Sequence, residues 1–317
     1  MCEPPVMSPV PDREETLRGC GGLSLYSCVW DPREPPRACV GLVHGLGEHC
    51  GRYGRLVTHL TACGYAVHGF DQRGHGRSPG RRGHVAAWRE YIEDVARFVN
   101  RMVEAPFTSS KEPGDDGDPE SKSAAASASA SGGGWPVFLY GHSMGALEVL
   151  DYALNKPGTV AGVIANAPPF EPVAIKSPLR LMLARVLSRA WPTFALRTRI
   201  TVEMMSRDAA VCEACAADPL MHDEVTARWG AEVMRAIVSV RRRAGELRTP
   251  VLLLHGGADR LASAAGSSRF FEQLTLADRD LHIYEGAFHE SHNDLCWREA
   301  VEDVARWIAG RVTGKGS

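Results

Sequence analysis

A chain of 317 residues with a formal charge of -2 and 44% hydrophobic residues is long enough to bury a substantial core, and it has none of the basic excess that marks a nucleic-acid binder. No stretch reaches the about 20 uninterrupted apolar residues of a membrane span, and the N-terminal MCEPPVMSPVPDREE places acids and prolines where a secretory signal would carry an apolar run. The nine cysteines, at positions 2, 20, 28, 39, 50, 63, 212, 215 and 296, are odd in number and follow no framework spacing, so a reduced, cytoplasmic setting is expected.

In chain order, Leu23 to Trp30 reads as an early strand that can hairpin with Glu15 to Arg18, and Cys39 to Val43 as a second apolar strand ending at His44-Gly45. Tyr53 to Cys63 has helical character, and Tyr65 to Gly69 is a strand running into the glycine-rich loop FDQRGHGRS. Val85, Trp88, Ile92, Val95, Val99 and Met102 recur at helical spacing between His84 and Val103. From 108 to 134 the chain turns to Ser, Ala, Gly and acids without a large apolar residue, which predicts a disordered surface insertion interrupting a continuing helix-to-strand alternation. Val137 to Tyr140 is then a strand, Met144 to Leu154 a helix and Val160 to Ala165 a strand.

Between Pro168 and Arg248 the strand signal disappears, and helical segments at Leu179 to Ser188, Val202 to Met205 and Glu232 to Val240 take over. This predicts a helical cap over the C-terminal ends of the strands, where open α/β sheets place their ligand sites. Arg241 to Arg243 reads as a solvated helix end, and the single C-x-x-C at Cys212 and Cys215 as helical neighbours, since no second pair accompanies it. Val251 to Leu254 and Leu281 to Tyr284 are the last strands, and Leu295 to Ile308 closes the chain as an amphipathic helix. The fold class is therefore α/β: a mostly parallel sheet flanked by helices, with a core of 15–167 and 249–312 interrupted by a cap at 168–248.

Gly141-His142-Ser143-Met144-Gly145 matches G-x-S-x-G, between the strand VFLY and the helical ALEVLDYAL. In that setting a serine sits on a sharp strand-to-helix turn with Oγ exposed and a helix N-terminus behind it, which makes Ser143 the candidate nucleophile. The alternative is a turn serine that only caps the helix. A serine nucleophile needs a base, and the base an orienting acid. Asp259, in the loop GADR after VLLLHGG, and His289, in GAFHE after LHIYEG, follow in the order Ser, acid, His, each beyond the C-terminal end of a strand.

The rivals are placed less well. Asp278 and Asp280 flank the opposite end of the last strand, Glu290 and Asp294 lie on the wrong side of the chain order, His282 sits inside a strand, and His292 is expected to begin and cap the final helix. The oxyanion of an acyl transfer needs donors; the backbone amide of Met144 follows the nucleophile, and His44-Gly45-Leu46-Gly47 offers a second from Leu46. The loop from Asp71 to Ser78 lacks both the Lys-Ser/Thr of a phosphate loop and the dinucleotide glycine spacing, so Asp71 and Arg73 are expected to fasten it. His289-Glu290-Ser291-His292 is one residue short of the zinc pattern H-E-x-x-H.

Taken together, HGLGEHCGRY at His44 to Tyr53, FDQRGHGRS at Phe70 to Ser78, GHSMG at Gly141 to Gly145, GGADR around Asp259 and LHIYEGAFHE ending at Glu290 resemble the monoacylglycerol lipase and lysophospholipase family of α/β-hydrolases. Two features depart from the family pattern: Ala146 stands where a second glycine follows the elbow, and the acidic insertion precedes the elbow strand. The resemblance implies Ser143, Asp259 and His289 as the triad, the Leu46 and Met144 amides as the oxyanion hole, and two-step ester hydrolysis without cofactor or metal. It also implies a lipid ester substrate, a cap that forms an apolar acyl tunnel and touches membrane surfaces, and no nucleic-acid partner. Monoglycerides, lysophospholipids and simpler carboxylic esters all remain open as substrates, as do haloperoxidase-like or C–C bond hydrolysis on the same triad and a non-catalytic binding role. The apolar run from Leu179 to Leu187 either lines the tunnel, dips into lipid or packs the cap on the core.

Overall fold

The structure, a computed structural model, describes residues 6–104, 134–173 and 186–312. The expected insertion up to residue 133 and the part of the expected cap helix before residue 186 lie outside these residues.

Ten strands and the helices between them are described. The strands are β1 (Arg13–Arg18), β2 (Ser24–Trp30), β3 (Ala38–Val43), β4 (Tyr65–Phe70), β5 (Val137–His142), β6 (Gly162–Asn166), β7 (Ala195–Arg197), β8 (Glu224–Thr226), β9 (Val251–Gly256) and β10 (Arg279–Tyr284). The longer helices are α1 (Gly54–Ala62), α2 (Arg89–Glu104), α3 (Met144–Asn155), α4 (Ala209–Ala217), α5 (Ala227–Arg242), α6 (Ala264–Gln273) and α7 (Trp297–Val312). Eight strands form one sheet in the order β1-β2-β4-β3-β5-β6-β9-β10. β1 and β2 are antiparallel to their neighbours, and β4, β3, β5, β6, β9 and β10 run parallel. This is the α/β-hydrolase fold, with residues between β6 and β9 inserted as a cap.

The alternation of side chains along the central strands explains the two layers. In β5, Val137 and Leu139 join a core with α2, α3 and α6, while Phe138 and Tyr140 join a second core with α1 and α7. β9 divides the same way, Val251 and Leu253 against Leu252 and Leu254. Strands apolar on both faces are the signature of a sheet covered on both sides. β3 and β5 are hydrogen-bonded neighbours, yet β3 feeds α1 on one face and β5 feeds α3 on the other. Their loops therefore part at the C-terminal edge and leave a crevice there, the place where such sheets bind ligands.

The structure changes four details of the sequence reading. α2 starts at Arg89 instead of His84, because the Trp88 amide donates to Glu232 of the cap helix α5 and the Trp88 indole to Asp151. The cap is not purely helical: β7 and β8 pair antiparallel, and strands of three residues are too short to show periodicity. α6 lies between β9 and β10 where no helix was read. His292 neither begins nor caps the last helix, which starts at Trp297; its ring stacks on Tyr53 at 4.7 Å. Asp71 and Arg73 act as fasteners: Asp71 accepts from the Cys50 and Arg77 amides, and Arg73 pairs with Asp94 and Glu90.

Glu148, in the middle of α3, is fully buried and neither carboxyl oxygen has a hydrogen-bond partner among the described residues. Burial, reinforced by Asp94 and opposed by Arg73, pushes its pKa well above the ordinary value. A carboxyl raised in the folded state contributes stability below its unfolded pKa and loses it as pH climbs toward the folded value. Glu148→Met is therefore expected to raise the thermal midpoint by about 3–9 °C at pH 8 and by less at pH 5. Calorimetry at the two pH values checks this, and a gain no larger at pH 8 contradicts it.

Candidate active site

The elbow is built by strain. Ser143 adopts φ 52 and ψ -114, a left-handed backbone that costs a side-chain-bearing residue roughly 1–3 kcal/mol. Its amide donates to Asn166 O at 2.8 Å, which ties the turn to the end of β6. A Cβ on Gly145 would lie 2.1 Å from Val43 O and 2.6 Å from His44 O, so only glycine lets the end of β3 press against the first turn of α3. Ala146, where a second glycine is the family habit, is fully buried and fits. Met144 opens α3, so its amide has no acceptor inside the helix. Leu46 faces the same cavity as Ser143 and Met144.

Asp259 and His289 meet because β9 and β10 are adjacent and parallel and their following loops are pressed together. A Cβ on Gly256 would lie 1.9 Å from Phe288 O. Asp259 Oδ2 accepts from His289 Nδ1 at 2.7 Å, and Oδ1 accepts from the Leu261 and Ala262 amides at 2.7 and 3.1 Å. Burial alone would raise the Asp259 pKa, but His289 and His255 hold the carboxyl far below the usual range. Burial alone would lower His289, but Asp259 outweighs it and lifts the imidazole above its ordinary value. Ser143 and His289 share one cavity wall without a direct hydrogen bond, and bonds of this kind tighten when a substrate is held. The rivals have other roles: His282 bonds Asp303, Asp278 and Asp280 pair with Arg311, and Asp294 binds Arg207.

A buried polar group that the sequence reading missed lies beside the elbow. Arg52 Nη1 donates to Glu48 Oε2 and Glu290 Oε1, each at 2.8 Å, with all three side chains at most 4% exposed. Glu48 also accepts from Tyr53 Oη at 2.8 Å and from the Gly45 amide at 2.6 Å, and so shapes the Leu46 loop. Burial works against ionising Glu290, but Arg52 overrides it and keeps that carboxyl low. Glu48, equally buried and with Glu290 nearby, is pushed up. Asn166 Nδ2 faces the Nδ1 atoms of His142 and His292 at 3.2 and 3.0 Å, while its Oδ1 accepts from Ser291. An amide donor fixes both Nδ1 atoms as acceptors, so each of these neutral rings carries its proton on Nε2.

The elbow, His289 and the buried Arg52 group border one cavity of about 550 Å³. Ser143, His289, His142, Glu48, Arg52 and Glu290 form its polar wall, and the cap closes it with Ile200, Met204, Trp229, Val233, Met234 and Ile237. Trp229 Nε1 rests 3.3 Å from Met144 Sδ, so α5 packs directly over the elbow. The cap is pinned to the rim by His49 with Asp218, Arg55 with Asp208, and the Glu290 amide on Met205 O. Among the described residues no group of three or more His, Cys, Asp or Glu is arranged to hold a metal ion.

The family described as serine aminopeptidase, S33 matches residues 34–110 and 121–295. A monoacylglycerol lipase of Mycolicibacterium smegmatis is 30% identical over 303 residues, covering 94% of this chain and 98% of its own length. A monoglyceride lipase of Rattus norvegicus is 30% identical over 309 residues, covering 95% and 92%. Among solved structures, a monoacylglycerol lipase of Paleococcus ferrophilus superposes with a TM-score of 0.76 at 31% identity, covering 90% of this chain and 99% of that one.

Removing Arg52 alone would strand two buried carboxyls. Arg52→Met is expected to cost about 3–5 kcal/mol, and replacing Glu48 and Glu290 by apolar residues as well should recover most of it. Urea unfolding of the single and triple variants measures both; a single-variant loss below about 1 kcal/mol, the value of a surface pair, would mean the group does not hold the two loops together.

Proposed function

We propose, for a chain that belongs to the serine aminopeptidase S33 family of α/β-hydrolases, that it hydrolyses monoacylglycerols to glycerol and fatty acid with Ser143 as nucleophile, His289 as base and Asp259 as orienting acid. The chain is an ester-hydrolysing enzyme of the serine-hydrolase class. The observation that carries the finer reading is the division of the cavity. Its polar wall, with Glu48, Arg52 and Glu290 beside Ser143, suits a small hydroxylated leaving group, and its cap wall of Met, Val, Ile and Trp side chains suits an acyl chain.

In this mechanism His289 Nε2 takes the Ser143 proton as Oγ attacks the ester carbonyl, and the Leu46 and Met144 amides receive the oxyanion. Asp259 holds Nδ1–H and stabilises the imidazolium, which then protonates the departing alcohol; water repeats the sequence on the acyl-enzyme. Residues 168–248 act as the cap that selects substrate, between core segments 15–167 and 249–312. The exposed cap residues Val186, Trp191 and Leu196 support transient contact with a lipid surface by a cytoplasmic protein. Among the described residues no helix is long and apolar enough to cross a membrane. A second reading, lysophospholipid hydrolysis, draws on Arg199 and Arg260, two cations on the cavity wall that suit an anionic head group.

Two experiments test this. In a series of monoacylglycerols, lysophospholipids and short nitrophenyl esters, long-chain monoacylglycerols should be preferred and Ser143→Ala should lose roughly 10⁵–10⁶ in kcat; a preference for acetyl esters overturns the lipase reading, and turnover by the mutant overturns the nucleophile. Because Asp259 raises His289, kcat/KM should fall as pH drops through a pKa above the ordinary imidazole value. Asp259→Asn should move that limb to lower pH and cost roughly 10³–10⁴ in kcat. An unmoved limb removes Asp259 from the triad.

A further inference from the structure

The Asp259 carboxylate has one donor more than the triad and the loop supply. His255, the penultimate residue of β9, brings Nε2 to 3.1 Å from Asp259 Oδ2 and 3.0 Å from Ala262 O. Its Nδ1 lies 2.7 Å from Ser267 Oγ on α6. His255 and Ser267 are fully buried, so neither has water as an alternative partner. The two oxygens facing Nε2 only accept, which requires the proton on Nε2. In the neutral ring Nδ1 is then a lone pair, and the Ser267 hydroxyl, free to rotate, donates to it. The hydrogen bonds thus converge on Asp259: Ser267 donates to His255 and His255 to Oδ2, while His289 donates to the same oxygen from the other side.

We propose that His255, held by Ser267 with its Nε2–H toward Asp259, is a positioning residue for the reaction: it fixes the rotation of the Asp259 carboxylate and tempers the pull of Oδ2 on His289. The proposal rests on the reading of Asp259 and His289 as acid and base. Oδ1 is spent on the Leu261 and Ala262 amides, so Oδ2 alone serves the base, and His255 is its only other donor among the described residues. Withdrawing that donor leaves more of the carboxylate's charge on His289 Nδ1–H and removes a lateral restraint on Oδ2. The first effect raises the pKa of the base; the second slows the step in which the imidazolium must be held in line with Ser143 Oγ.

The test is steady-state kinetics over pH on the full chain. His255→Leu should lower kcat roughly 10-fold to 100-fold, the worth of a hydrogen bond to a charged group, with KM within about 2-fold because no substrate contact is touched. It should also shift the acid limb of kcat/KM upward by about half a pH unit. His255→Gln, whose amide nitrogen can donate to Oδ2, should return most of the lost kcat and the original limb. Ser267→Ala, which leaves His255 Nδ1 without its donor and loosens the ring, should shift the limb in the same direction by less, and it keeps the question answerable if the leucine variant does not fold. A limb that stays in place in His255→Leu and Ser267→Ala while Asp259→Asn is impaired overturns the positioning role and leaves the triad standing. Normal activity in Asp259→Asn overturns the triad reading itself.

Discussion

A single guanidinium sets the geometry of the catalytic edge. Arg52 starts on the short helical turn after β3, and its two carboxylate partners come from its own loop and from Glu290, 238 residues later. Burying three ionisable groups is costly unless each is paired and hydrogen-bonded, and here they are: Tyr53, the Gly45 amide and Asn293 take up the remaining carboxyl capacity. The loop that carries Leu46 and the loop that carries His289 therefore cannot drift apart without exposing an uncompensated charge. The elbow lies between them, held from a third side by Val43 O against Gly145.

That constraint makes sense only on this sheet. The divergence of α1 and α3 to opposite faces opens the crevice, and the adjacency of β9 and β10 delivers Asp259 and His289 to its far side. The cap then closes the crevice from above. Its inner face is apolar, while its fastenings to the rim are polar: His49 with Asp218, Arg55 with Asp208, Arg207 with Asp294. Apolar area facing the cavity and ion pairs facing the rim give a roof that is fixed at its edge and apolar within.

The parts legible in the sequence are those written locally. Strand, turn and helix follow one another within about ten residues around Ser143, and Asp259 and His289 each sit just past an apolar run, so position along the chain was enough to place them. What was not legible arises between distant segments. Glu48 and Arg52 lie in a polar stretch that looks solvent-exposed, and only Glu290 across the sheet edge explains their burial. Glu148 and Asp151 sit in an otherwise mostly apolar helix, where acidic residues give no sign that both faces of that helix are covered. The β7–β8 ladder is three residues long, and α6, AAGSSRFFEQ, spaces its apolar residues too thinly to announce a helix. His292 was read from its place near the last helix, whereas Tyr53 and Asn166, remote in sequence, fix where it sits.

The same edge holds three imidazoles close together, with His142 4.8 Å from His289 and 5.0 Å from His292 between ring centres. All three are buried, so burial alone would disfavour the charged form of each. His292 is accordingly pushed down to about 3 and His142 well below its ordinary value, and Asn166 donates to both and so selects their neutral form. His289 goes the other way because it alone of the three bonds a carboxylate. His289 is thus set apart by its partner and not by its place in the cluster. Its neutral neighbours serve the same end, since two uncharged rings leave room beside them for one imidazolium that a second cation would repel.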